Sequence, residues 1–169
     1  MHPLVQLAKN TVELYIREGK IKEVRETDLL PEFKDRAGVF ICLKIQGTLR
    51  GCIGTFQPTE PTIAHETVRN AISAATCDPR FDCVRAEELD SIEYTVDVLT
   101  PPVRITDKSE LDPRKYGVIV KAGGRRGLLL PDLEGVDTAD YQIAIAMQKA
   151  GIPPGTPVEL YRFEVRRYQ

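Results

Sequence analysis

The segment LRGCIGT, Leu49 to Thr55, gathers a guanidinium, a thiol and two glycines into one short stretch. On a regular strand side chains alternate, so Arg50, Cys52 and Gly54 share one face while Leu49, Gly51, Ile53 and Thr55 share the other. Cα atoms two residues apart on a strand are about 6.5 to 7 Å apart, near enough for a guanidinium to favour a thiolate. Three chemistries fit. In the first, Cys52 is a nucleophile or redox thiol activated by Arg50, and backbone N–H groups at Gly51 or Gly54 stabilise developing negative charge. In the second, the glycines leave a recess above the sheet in which Arg50 fixes a carboxylate or phosphate. In the third, Cys52 is a packing residue, Arg50 a surface charge, and the glycines let a helix approach the strand. Glycine inside a strand marks either a bulge or a close approach by backbone or ligand, and the sequence leaves both open.

The enzyme reading lacks an evident base. The histidines are His2 and His65, so a Cys–His arrangement would have to use His65. A metal site from Cys77, Cys83 and His65 has no recognised ligand spacing behind it, and the chain has no CxxC pair. The run Asp78, Pro79, Arg80, Phe81 reads as a helix stop in which Pro79 forbids continuation, Phe81 anchors the loop and Asp78 pairs with Arg80. As a turn it also presents Asp78 and Arg80 beside the sheet. AGGRRG looks like an anion loop, yet apolar LLLP follows it where a phosphate loop should open onto a helix. It reads instead as a basic hairpin tip carrying Lys121, Arg125 and Arg126.

The elements that must position these groups follow from periodicity. Leu4, Ala8, Val12, Tyr15 and Ile16 recur at helical spacing, predicting a helix over 3–18 that Gly19 stops. GVFICLKI, Gly38 to Ile45, is nearly continuously apolar, as expected of a central strand covered on both faces. With Gln46–Gly47 as a two-residue turn, Ile45 faces Thr48, Ile41 faces Cys52 and Cys42 faces Gly51. That register sends Cys42 and Cys52 to opposite sides of the sheet, where they cannot bridge. A second helix begins near Pro61 and packs by small residues up to Asp78 and Pro79. SIEYTVDVLT alternates as a half-buried strand halted by Pro101 and Pro102, and YGVIVKAGGRRGLLLP reads as a hairpin around Gly123 and Gly124. DTADYQIAIAMQKAG supplies a helix capped by Asp137 or Thr138 and stopped at Gly151, and VELYRFEVRRY the final strand. Helices and hairpins without a regular βαβ rhythm predict an α+β fold, an antiparallel sheet with helices packed on it, with scope for two lobes and a cleft. No internal repeat or linker is visible.

Composition narrows the class further. The 169 residues suit a single domain that buries roughly 70% of the surface its unfolded form exposes. A net charge of −2 argues against a global field for nucleic acid or anionic membrane. Apolar runs fall short of a membrane span, the N-terminal stretch reads as an amphipathic helix with acidic residues and not as a signal peptide, and reduced thiols suit the expected cytoplasmic address.

LRGCIGT resembles the signature of the AMMECR family, and RNAISAATCDPRF, VLTPP and GVIVKAGGRRGLLLP resemble further family segments in the expected order, across almost the whole chain. The resemblance implies a two-part α+β fold. Carried over by position, the signature covers Leu49, Arg50, Gly51, Cys52, Ile53 and Gly54, with Asn70 and the Asp78–Phe81 run as lesser matches. As ligand-binding candidates the residues are therefore Arg50, Gly51, Cys52, Gly54, Asn70, Asp78 and Arg80, with Cys52 and Arg50 the catalytic pair of the enzyme reading. The resemblance also implies an association with a Memo-like protein and a radical SAM protein, which points to an accessory, small-ligand or partner-binding module. It names no cofactor.

Overall fold

The computed structural model describes residues 1–26 and 29–169. Helix α1, Pro3–Glu18, ends at Gly19, whose φ of 67° lets its N–H bond back to Tyr15 O. Strands β1, Val39–Ile45, and β2, Thr48–Thr55, are joined by Gln46 and Gly47 at φ 50° and 75°, the primed turn that matches strand twist. Helix α2, Ile63–Thr76, starts at Thr62, whose hydroxyl accepts from His65 N–H. Then follow β3, Ile92–Leu99, β4, Val103–Ile105, β5, Gly117–Ala122, and β6, Arg125–Leu129. Helix α3, Ala139–Ala150, is capped by Thr138 and closed by Gly151 at φ 65°. Strands β7, Glu159–Phe163, and β8, Val165–Tyr168, complete the chain.

The fold is α+β, with helices packed on two antiparallel sheets instead of the one expected. The first sheet has the order β2-β1-β3-β8 and the second β4-β7-β5-β6. They belong to two compact units, Met1–Val98 with Arg166–Gln169, and Leu99–Val165. The predicted final strand is in fact two strands in different sheets, broken at Glu164, which exchanges hydrogen bonds with Thr100. The short β4 follows the Pro101–Pro102 halt and was not legible in the pattern.

Each unit has its own core. In the first, Val39, Ile41 and Leu43 of β1 point at α1 and α2, whose Leu4, Val5, Ala8, Ala71, Ala74 and Ala75 are buried with them. In the second, Val118, Val120 and Leu129 pack with Ala146 and Met147 of α3. Full cover of β1 on both faces is not found: Phe40 and Cys42 on its other face are half-buried and Lys44 is exposed. The two sheets share one wiring although the sequence shows no repeat. In each, a hairpin is followed by a helix on its face and then by a strand that pairs with the hairpin's first strand. Among the described residues no helix is long and apolar enough to cross a membrane.

Candidate functional site

The register of β1 and β2 decides what LRGCIGT displays. Ile45 faces Thr48 as expected, but the ladder slips between Leu43 and Lys44: Lys44 faces Leu49 and Leu43 faces Gly51, leaving Arg50 as an extra residue. Beyond this bulge Cys42 faces Cys52 and Ile41 faces Ile53. The expected register and the expected separation of the two cysteines are therefore corrected. One inserted residue exchanges the faces of everything beyond it, so Cys42 and Cys52 are cross-strand partners on one face.

The bulge also removes Arg50 from Cys52. Its guanidinium makes a two-pronged ion pair with Glu88, Nε to Oε1 at 2.8 Å and Nη2 to Oε2 at 3.0 Å. It also donates to the carbonyls of Asp82 and Cys83 at 2.9 and 3.3 Å. Only 17% of the Arg50 side chain is exposed, so it is a positioned internal group and not the surface charge of the packing account. Arg50 holds the Glu88 carboxyl below its ordinary value.

Arg80 takes the place next to the thiol. Asp78, its side chain 2% exposed, accepts from Cys52 N–H at 2.9 Å and from Arg80 N–H, Nε and Nη2 at 3.1, 3.0 and 2.8 Å. The Arg80 guanidinium, with help from the two backbone N–H groups, holds the Asp78 carboxyl far below the usual carboxylate range. Arg80 Nη2 also donates to Cys52 O at 3.2 Å. The 78–83 loop thus covers the free edge of β2 by using Cys52's own N–H and C=O. Phe81 lies between the two arginines, its ring centroid 6.0 Å from the Arg50 guanidinium carbon and 5.6 Å from that of Arg80. The Asp78–Arg80 pair and the Phe81 anchor are as the sequence predicts.

The glycines serve close approach, and not one open recess. A Cβ on Gly51 would stand 2.3 Å from Ala74 O, so α2 packs directly on the strand backbone there. A Cβ on Gly54 would stand 2.2 Å from the Phe40 ring, which lies across it from the neighbouring strand. The expected room above Gly54 is occupied by that ring. Gly51 and Gly54 face opposite ways, and Asn70 belongs to the core side, donating to Val39 O at 2.9 Å and Thr55 Oγ1 at 3.0 Å. On that side Glu66, fully buried, accepts from Thr55, Thr59 and Glu60, and these bonds outweigh burial and keep its carboxyl low.

The structure therefore brings Cys52, Asp78 and Arg80 together, sets Arg50 on the flank, and leaves Asn70 apart. Sequence reasoning missed Cys42 and Glu88. The glycines hinted at a bulge, but nothing marked its position; Glu88 carries no local signal at all. The thiols influence each other before anything else does. The Cys42 sulfur and then burial push the Cys52 thiol up, while the hydrogen bond from Cys52 pulls Cys42 down against burial. Both histidines are engaged elsewhere: His2 stacks on Tyr168 and meets Phe33 edge-on, and His65 bonds Thr62 Oγ1 at 2.7 Å. His65 is in the first turn of α2 and Cys77 at its far end, roughly 18 Å along the axis, so no site joins them.

Fold and site define a class: an α+β protein with two like-wired antiparallel sheets, the first carrying an Arg-Gly-Cys bulge clamped by an Asp-Pro-Arg-Phe loop. The family model described as AMMECR1 matches residues 5–169, and the chain belongs to that family. It is 56% identical to a protein of Thermotoga maritima, the match covering 99% of this chain and 98% of that one. A Clostridium acetobutylicum protein is 45% identical over 99% of this chain, yet the match spans only 36% of that longer protein. The crystal structure of a Pyrococcus horikoshii protein, described as uncharacterized, superposes with a TM-score of 0.89 at 34% identity, covering 97% of this chain and 88% of that one.

Proposed function

We propose that this protein is a cytoplasmic accessory module that uses the outer face of its LRGCIG hairpin to hold a small ligand or a segment of a partner, acting with Memo-like and radical SAM proteins. The observation that carries the binding reading over a Cys52 enzyme is the state of the thiol. Cys52 has a second sulfur, and then burial, as its largest influences, its proton is held more tightly than in a free thiol, and both imidazoles are engaged elsewhere. A nucleophile needs the opposite arrangement. What the face offers a ligand is Arg80, 55% exposed at its side chain, with the Phe81 ring beside it. A guanidinium already oriented by Asp78 suits a carboxylate or phosphate. In the Clostridium relative the matched region is 36% of a longer chain, an arrangement in keeping with a module that works beside other domains or proteins.

Thermal shifts against a panel of metabolites, nucleotides and metals test the proposal, since a ligand at 100 times its dissociation constant adds about 2.7 kcal/mol. An anionic ligand should raise the melting temperature of the parent and not that of Arg80→Ala. A silent panel together with co-purification of Memo-like and radical SAM proteins would assign the face to a protein partner. Rapid alkylation of native Cys52 well below the free-thiol value of about 8.5 would overturn the binding reading in favour of the enzyme.

A further inference from the structure

The slip at Arg50 creates a feature that the binding reading does not use. Cys42 on β1 and Cys52 on β2 are direct cross-strand partners on the outer face of the first sheet, both half-buried. Antiparallel partners come in two kinds, and the backbone of Cys52 identifies this one. Its N–H goes to Asp78 and its C=O accepts from Arg80, so both point off the sheet edge and away from β1. Cys42 and Cys52 are thus a non-hydrogen-bonded pair, the kind whose Cα atoms lie about 4.5 Å apart with the side chains brought together. That separation falls within the range spanned by disulfides. We propose that Cys42 and Cys52 form a reversible cross-strand disulfide, a redox-modification site on the outer face of the first sheet.

The surroundings assign the order of events. The neighbouring Cys52 thiol, then Lys44 and Arg167, lower the Cys42 thiol against burial and Asp97, so of the two Cys42 ionises more readily and attacks first. Cys52, with its proton held and Arg80 nearby, resolves. With a low-molecular-weight disulfide RSSR, the Cys42 thiolate attacks one sulfur, giving a Cys42–SR mixed disulfide and releasing RS⁻. Cys52 passes its proton to that thiolate through solvent and attacks Cys42 Sγ, expelling the second RS⁻, which takes up the proton that Cys42 gave to solvent on ionising. Two protein thiols are oxidised and RSSR is reduced to two RSH. The bond closes on the residue whose N–H and C=O are held by Asp78 and Arg80, so it forms beside that loop whatever the face binds. In reducing surroundings the thiols are the resting state and the disulfide the transient one.

The test uses oxidised glutathione on the folded protein, with Cys77→Ser/Cys83→Ser as background so that only the pair can react. Intact mass should fall by the two hydrogens removed, peptide mapping should link Cys42 to Cys52, and dithiothreitol should restore both thiols. In that background Cys52→Ser should stop at a mixed disulfide on Cys42, and Cys42→Ser should react at Cys52 roughly tenfold more slowly than Cys42 does in the parent. Circular dichroism of each variant before oxidation establishes that it is folded, and mapping the wild type gives the same readout if the background does not fold. Two alkylatable thiols remaining after oxidant, or a stable mixed disulfide with Cys52 intact, would overturn the proposal, as would a wild-type link through Cys77 or Cys83 instead.

Discussion

Asp78 is the residue through which the site is held together. Its carboxylate satisfies a backbone N–H of the sheet edge and three donors of Arg80 while almost wholly out of water. Asp78→Asn keeps the shape and removes the charge, and should cost about 1.5 to 3 kcal/mol, the range for hydrogen bonds to charged groups. Denaturant midpoints at constant slope measure this. The sign of its pH dependence follows from the lowered folded pKa. The contribution is fully present above the unfolded Asp value of about 3.9 and is lost as pH falls from there toward the folded value. The gap between wild type and Asp78→Asn should therefore be constant near neutrality and close in acid. A gap that stays open at low pH would mean the variant fails by shape and not by charge.

At the scale of elements, the same device appears twice. Gly51 on β2 lies under Ala74 O of α2, and Gly127 on β6 lies under Ala146 O of α3, where a Cβ would stand 2.0 Å away. In both hairpins the return strand gives up a side chain so that a helix backbone can rest on it. A carbonyl inside a helix cannot move aside, whereas Phe40 over Gly54, whose nearest atom is Cγ, is a half-buried side chain that can clear a new methyl by swinging about χ1. Gly51→Ala and Gly127→Ala should each cost about 1 to 3 kcal/mol, the usual penalty of overpacking, and Gly54→Ala less. Melting curves of the three variants would reveal the ranking. A Gly54 variant as damaging as the Gly51 one would show that the outer face is as tightly packed as the core.

For the whole molecule, charge is the informative quantity. The net value of −2 leaves the hairpin tip with Lys121, Arg125 and Arg126 as a local basic spot, and Arg125 is already committed to the carbonyl of Gly151. A protein neutralising six to ten phosphates loses roughly 10³- to 10⁵-fold in affinity between 50 and 200 mM salt. No binding of that steepness is expected with RNA or duplex DNA by fluorescence anisotropy. Submicromolar binding at physiological salt, lost on changing Arg125 and Arg126, would make the tip the functional surface.

Local rules carried the sequence reading as far as they act. Gly19 and Gly151 end helices because they adopt the left-handed conformation their positions need, Thr138 caps because a hydroxyl can reach an orphan N–H, and Gln46–Gly47 turns because both residues accept positive φ. The Asp78–Arg80 pair is two residues long and equally legible. Where neighbours distant in the chain compete with such rules, the sequence was silent. Nothing in VELYRFEVRRY shows that Glu164 separates strands of two sheets, since both halves have strand character and only their partners differ. The partnership of Cys42 and Cys52 depends on a bulge at Arg50 that is fixed by Glu88, Asp82 and Cys83, more than thirty residues away, and by α2 pressing on Gly51. A strand has a period of two, so that single inserted residue, chosen by tertiary contacts, decided which face carries the thiols and which cation stands beside them.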